Sequence, residues 1–233
     1  MKMPLLPVLI SAFALSNLPA HAYNTGGDGQ LPVTSEEQSK LTPQAVLADL
    51  KAGNQRYVEG RHTEPNAAAS IQAAVKGQYP KAYILSCVDS RVPVELIFDQ
   101  GIGDIFVGRV AGNVENEDQL GSMEFAAAVA GVKLIVVLGH EACGAVKGAC
   151  DGVELGNLTL LLEKIAPAVR SVESYEAGER NSSNKAFVDE VIHANVERTV
   201  ADLRNRSAVL RDLEADGKLK IVGAHYSLAD GRV

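Results

Sequence analysis

The chain contains no tryptophan, aromatic residues make up only 5% of it, and cysteine occurs three times. With so few rings, a core of normal density has to come from aliphatics, and a hydrophobic content of 46% supplies them. Three thiols are an odd number, so a disulfide framework using all of them within one chain is excluded. Positive charge is short as well: 22 Lys and Arg against 29 Asp and Glu leave a net charge of −7. No basic stripe is present to neutralise phosphates, which argues against a nucleic-acid partner. Beyond the N-terminus no apolar run reaches membrane-spanning length, and there is no internal repeat or low-complexity block. The 233 residues suffice for one α/β domain with a sizeable core.

The N-terminus reads differently from the rest. Lys2 precedes an apolar stretch from Pro4 to Leu18, which ends in Pro19-Ala20-His21-Ala22. A basic start, a short apolar run and an Ala-x-Ala ending predict a secretory signal peptide cleaved after Ala22. A buried first helix is disfavoured by Pro4, Pro7 and Pro19 and by the abrupt polar, Gly-rich segment from Asn24 to Gln30. No twin-arginine pair is present, which points to the Sec route. The expected organisation is a signal peptide at 1–22, a linker at 23–33 and a single domain at 34–233. The mature chain is expected in the periplasm or outside the cell, with no membrane attachment.

From Ser35 and Glu36 the sequence turns helical, with Leu41, Val46, Leu47, Leu50 and Tyr57 at helix-like spacing. Strands are predicted at 82–86, 104–110, 133–138 and 219–225. Helices are predicted at 93–98, 118–129, from about 143, at 154–174 and at 184–214, with a polar loop at 178–184. Strands alternating with helices predict an α/β fold: a mainly parallel sheet flanked by helices, with an N-terminal helical arm.

Two short segments carry the chemistry. Cys87-Val88-Asp89-Ser90-Arg91 follows the apolar run Ala82-Tyr83-Ile84-Leu85, and His140-Glu141-Ala142-Cys143 follows Leu134-Ile135-Val136-Val137-Leu138. Both runs read as buried parallel strands, and ligands collect at the carboxyl ends of such strands. Two thiols, one imidazole and one carboxylate form a donor set suited to tetrahedral Zn²⁺. Separately, each residue has a plainer reading: a buried Cys is a small hydrophobe, and Asp89 with Arg91 is a surface ion pair. A Cys87–Cys143 disulfide is the other alternative in an oxidising compartment. Cys150 is the spare thiol, expected to be buried or partly buried on a helix, and no chemistry is assigned to it.

Residues 81–146 resemble the β-class carbonic anhydrases. The resemblance rests on Cys87-x-Asp89-Ser90-Arg91-Val92 with Pro93, Glu95 and Asp99-Gln100-Gly101, on Gly103-Asp104-Ile105-Phe106, on Arg109-Val110-Ala111-Gly112-Asn113, and on Gly139-His140-x-x-Cys143-Gly144. It extends to Gly53-Asn54-Gln55-Arg56-Tyr57, Gly77-Gln78-Tyr79-Pro80 and Lys220-Ile221-Val222-Gly223-Ala224, and so covers the chain from about Leu41 onward.

The resemblance implies a zinc enzyme interconverting carbon dioxide and bicarbonate, with Cys87, His140 and Cys143 as permanent ligands. Asp89 is then a variable ligand, because a catalytic site keeps its fourth position open. Pairing with Arg91 in a bidentate fork is its alternative state, in which it can orient the nucleophile. The resemblance further implies that Gln78 contacts substrate across a dimer interface, that Phe106 walls the carbon dioxide pocket, and that the N-terminal arm packs on a partner subunit in a homodimer or homotetramer. Phe125 stands where many members carry Tyr, so a hydroxyl is lost there. Val88 stands where a smaller residue is common, which narrows the site slightly. The absence of Trp argues against an inhibitory bicarbonate site built on that residue. The chain stops where members commonly continue the final strand, so a short or missing edge strand is expected. His62, His193 and His225 are proton-shuttle candidates by residue type alone. Two other activities remain open: hydrolysis of carbonyl sulfide or carbon disulfide on the same fold, and non-catalytic zinc binding in a closed site.

Overall fold

The computed structural model describes residues 31–63 and 66–233. The expected signal peptide at 1–22 and residues 23–30 of the expected linker lie outside the described residues.

Local capping explains where the first helices begin. Thr34 and Glu37 form a reciprocal capping box at the start of α1 (Ser35–Lys40). Thr42 accepts from the Ala45 N–H and Pro43 takes the first turn of α2 (Pro43–Val58). A third helix, α3 (Ala67–Ala74), was not expected from the sequence. Its Ala-rich surface carries no apolar stripe, and the Asn66 cap was the one local signal. The chain then runs through β1 (Ala82–Ser86), α4 (Val94–Ile97), β2 (Ile105–Arg109), α5 (Glu117–Glu124), β3 (Leu134–His140), α6 (Gly144–Cys150), α7 (Gly156–Ser171), α8 (Lys185–Arg206), α9 (Ala208–Ala215) and β4 (Lys220–Tyr226).

Three boundaries differ from expectation for visible reasons. The helix predicted at 118–129 widens into a π-helical turn at Phe125–Val129. The helix predicted at 184–214 breaks at Ser207, whose hydroxyl donates to Glu124 and accepts from the Leu210 N–H, so it caps α9. Strand β3 continues past 138 because β4 keeps pairing with it, Gly139 opposite His225 and His140 opposite Tyr226. His140 therefore belongs to the strand rather than to the loop after it.

The four strands are parallel in the order β2-β1-β3-β4, so β4 is an edge among the described residues. Alternation along the strands sends Tyr83, Leu85, Ile135 and Val137 to one face, against Val196, Val200 and Leu203 of α8. Ala82, Ile84, Leu134 and Val136 go to the other face, against α2 and α4. Both faces are covered, which is why the strands are near-continuous apolar runs. No helix among the described residues is long and apolar enough to cross a membrane.

The apolar stripe of α2 covers this chain's own sheet. Val46 and Leu50 are fully buried with Ile84, Val136, Ile97 and Phe98. The stripe therefore does not by itself require a partner subunit. Gly53 permits the contact: a Cβ there would stand 1.9 Å from the Phe98 carbonyl oxygen. The following residues tie the helix down. Asn54 donates to the Ile97 and Gly231 carbonyls and accepts from the Val233 N–H, and Arg56 pairs with Asp99 at 2.5 Å.

Candidate metal centre

From β1 the chain turns to one side to form β2 and returns on the other side as β3. The crevice at the carboxyl ends of β1 and β3 is thus the topological switch point, where open α/β sheets bind ligands. Cys87 is the first residue after β1, His140 is the last of β3, and Cys143 is the N-cap position of α6. Ala142 between them takes a positive φ of 53°, a left-handed turn that brings Cys143 back toward the strand ends.

The donor atoms of Cys87, His140 and Cys143 lie within 4.8 Å of one another, and all three residues are buried. The two Sγ atoms are 4.0 Å apart and both thiols are free. A disulfide requires about 2.05 Å, so this pair is not bonded. The His140 ring is fully buried, and its Nδ1 lies 2.9 Å from the Glu141 carbonyl. A carbonyl only accepts, so Nδ1 carries the proton and Nε2 presents a lone pair. That Nε2 is buried with no hydrogen-bond partner. A bare imidazole nitrogen facing two thiols fits a borderline dication such as Zn²⁺, and the Nδ1 bond is the outer support such a ligand needs.

The two thiols do not ionise alike. The hydrogen bond from Cys143 pulls Cys87 well below the usual thiol range, with help from His140 and from the Gly112 N–H at 3.3 Å. Cys143 is pushed up by its bond to Cys87, by burial and by the neighbouring negative charge. One proton shared between two sulfurs is what a dication would displace.

Asp89 stands apart from these three. Its Oδ2 is 3.9 Å from His140 Nε2, while Arg91 donates through Nε at 2.9 Å, through Nη2 at 2.7 Å and through its backbone N–H at 2.9 Å. The Arg91 side chain is the main reason the Asp89 carboxyl is held far below the usual carboxylate range. The carboxylate is therefore held on the guanidinium, and the ligand set is open.

Two supporting residues had no role assigned from the sequence. Arg109 donates to the Cys87 carbonyl at 2.8 Å and to the Asp89 carbonyl at 2.5 Å, fixing the loop that carries both groups. Gly112, at φ 72°, puts its N–H on the Cys87 sulfur, and a Cβ there would meet Ile165 Cδ1 at 2.5 Å. Both sit in the Arg109-Val110-Ala111-Gly112-Asn113 segment, so the signal was visible but its target was not.

The remaining candidates are dispersed within the single chain. Gln78 is exposed in the connection from α3 to β1. Phe106 and Phe125 pack at 6.3 Å between ring centroids and line a shallow surface concavity with Tyr83, Glu117 and Asp118, which includes none of the three donors. Burial raises the Tyr83 phenol to about 12. Val88 is exposed. His62 stacks edge-on against Tyr57, and His193 and His225 stack on each other. Cys150 ends α6 half-buried, and burial lifts its thiol to about 11.

Residues 82–233 match the family model for carbonic anhydrase. The chain is 43% identical over 196 residues to carbonic anhydrase 2 of Mycobacterium tuberculosis, covering 82% of this chain and 91% of that one. It is 40% identical over 197 residues to a carbonic anhydrase of Mycolicibacterium smegmatis, covering 82% and 92%. Among solved structures it resembles one of two tetrameric β-carbonic anhydrases of Sordaria macrospora, with a TM-score of 0.61 at 24% identity over 81% of this chain and 93% of that one.

Proposed function

The chain belongs to the β-class carbonic anhydrases, enzymes of the reversible hydration of carbon dioxide, and from that membership we propose that its ion is zinc, held by Cys87, His140 and Cys143. The observation that supports this most directly is the bare, buried Nε2 of His140 beside two free thiols, with Asp89 drawn off onto Arg91. Zinc at such a site supplies hydroxide at neutral pH by lowering the pKa of water to about 7.

The chain's own residues do the positioning. Asp89, ionised by its fork with Arg91, can only accept hydrogen bonds, so it orients a water molecule by one O–H and leaves its lone pair toward the substrate carbon. Arg109 keeps Asp89 and Cys87 in register through their carbonyls. Stopped-flow carbon dioxide hydration by the zinc-loaded chain tests the reading, with carbonyl sulfide and carbon disulfide run in parallel. Turnover of either sulfur compound above that of carbon dioxide would reassign the substrate.

The working unit proposed is a dimer or a larger even oligomer. The support is exposed apolar surface: Val88, beside Cys87, is 56% exposed, and Phe125 and Val129 of the π-helical turn are 50% and 74% exposed. A second subunit covering Phe106 and Phe125 would turn an open concavity into a wall, and Gln78 of that subunit could then reach the substrate. Light scattering at assay concentration is expected to give at least twice the chain mass, and a fully active monomer would contradict it. Export to the periplasm or the medium, starting at Tyr23, is proposed from the Lys2-to-Ala22 pattern. N-terminal sequencing of the extracytoplasmic protein should read Tyr23 first, and an intact Met1 would refute it.

A further inference from the structure

A second cluster of metal-ligating side chains lies outside the catalytic crevice. Asp189 and His193 are one turn apart on α8, so both point the same way. His225 comes up from the edge strand β4 to meet them. Among the described residues, the donor atoms of these three also lie within 4.8 Å of one another.

The spacing is that of donors around a centre rather than of hydrogen-bonded partners. His193 Nε2 is 4.0 Å from Asp189 Oδ2 and His225 Nε2 is 3.7 Å from Asp189 Oδ1, both beyond hydrogen-bond reach. The two rings stack with centroids 4.6 Å apart and planes 32° from parallel. The Nε2 of His225 is buried and has no hydrogen-bond partner. An orphaned, buried imidazole nitrogen is costly unless something accepts or supplies its bond. Burial and the neighbouring His193 also hold His225 below the usual histidine range, which favours the neutral ring that ligation needs.

We propose that Asp189, His193 and His225 form a second metal site, which takes a divalent borderline ion such as Zn²⁺, Co²⁺ or Ni²⁺ and pins α8 to β4. Two imidazoles and one carboxylate without thiolate suit such ions, and bonds of about 2.0–2.2 Å need only small rotations from the observed spacings. Asp189 and His193 are about half exposed, with side-chain exposures of 53% and 54%, so the ion enters from solvent and keeps water in its remaining positions. A solvent-open hollow beside the cluster, lined by His193, Glu197, Arg204 and His225, leaves room for that water. The site is distinct from the crevice, and its ligands include none of Cys87, His140, Cys143, Asp89 or Arg91.

The test is equilibrium dialysis of the metal-loaded enzyme against Zn²⁺ near neutral pH, in a buffer that does not chelate. One further ion per chain is expected in the wild type. Asp189→Asn and His193→Ala should each weaken that second equivalent about ten-fold or more while the first ion stays bound. Both positions are exposed, so neither change threatens folding, and bound metal should raise the wild-type Tm but not the variants'. A wild type that stops at one ion per chain up to millimolar Zn²⁺ would overturn the site, as would two variants that bind the second ion as well as the wild type does.

Discussion

Cys143→Ala is expected to leave the chain folded, nearly free of metal and without measurable hydration of carbon dioxide. Cys143 is 1% exposed at the N-terminal end of α6, and its side chain makes no capping bond there, so alanine can replace it without loss of helix start or large change in volume. The ligand set is different. Its removal leaves Cys87 and His140 as the only two donors of the cluster, one short of the three that a catalytic zinc site retains. Cys87 also loses the hydrogen bond that does most to lower its pKa, so its thiolate is harder to form. Metal content should fall to less than about a tenth of an ion per chain, since loss of a direct ligand should exceed the ten- to hundred-fold effect of an outer-shell change. Elemental analysis, circular dichroism and stopped-flow rates on one preparation check it. A folded variant that retains a full equivalent of metal would show that Cys143 is not a ligand.

Arg91→Ala should reduce turnover about 10- to 100-fold at every pH, with metal retained. The guanidinium supplies two of the three hydrogen bonds on the Asp89 carboxylate, and without it Asp89, whose Oδ2 already stands 3.9 Å from His140 Nε2, is free to turn onto the proposed ion and close its fourth position. The pH dependence separates this from a simple loss of charge. Arg91 holds Asp89 ionised to well below its ordinary pKa. A carboxyl lowered in this way contributes stability that is complete above its ordinary value near 3.9 and is lost progressively as pH falls from there through the depressed value. Asp89 therefore exchanges no proton near neutrality, and a rise in wild-type activity is expected above about pH 7, where the proposed zinc would ionise water. The variant should keep the shape of that profile at a depressed height, or shift it upward if hydroxide must now displace Asp89. Asp89→Asn should not restore turnover to Arg91→Ala, because an amide is a poorer acceptor for orienting water. Near-wild-type rates in Arg91→Ala across this range would make Arg91 a structural ion pair only.

Much of this site was legible in the linear chain because its candidate ligands are attached to regular structure. Cys87 directly follows one buried strand and His140 ends another, and a parallel strand has one carboxyl end, so the two apolar runs placed both residues at the same edge of the sheet. The spacing of Cys143 from His140 then allowed one turn to bring its sulfur back. The state of Asp89 was not legible. The sequence offered it two partners, zinc and Arg91, at similar reach, and only the three-dimensional arrangement places it on the guanidinium at 2.7 Å. The arm was legible as a stripe but its target was not. Periodicity says that Val46 and Leu50 are covered, and the sheet of the same chain turns out to cover them.

What the sequence determined by itself, then, was the α/β class, the succession of the four strands along the chain, the candidate donors Cys87, His140 and Cys143, and the family, since each depends on residues close together in the chain or on a fixed period. Tertiary structure alone decided which contacts span long intervals. Gly112 reaches the Cys87 sulfur across 25 residues, Arg109 holds the carbonyls of a loop 20 residues away, and His225 arrives beside Asp189 and His193 from a different element. Such meetings depend on strand order and on how closely α8 lies over β4, and these are set by packing of the whole core rather than by any local pattern.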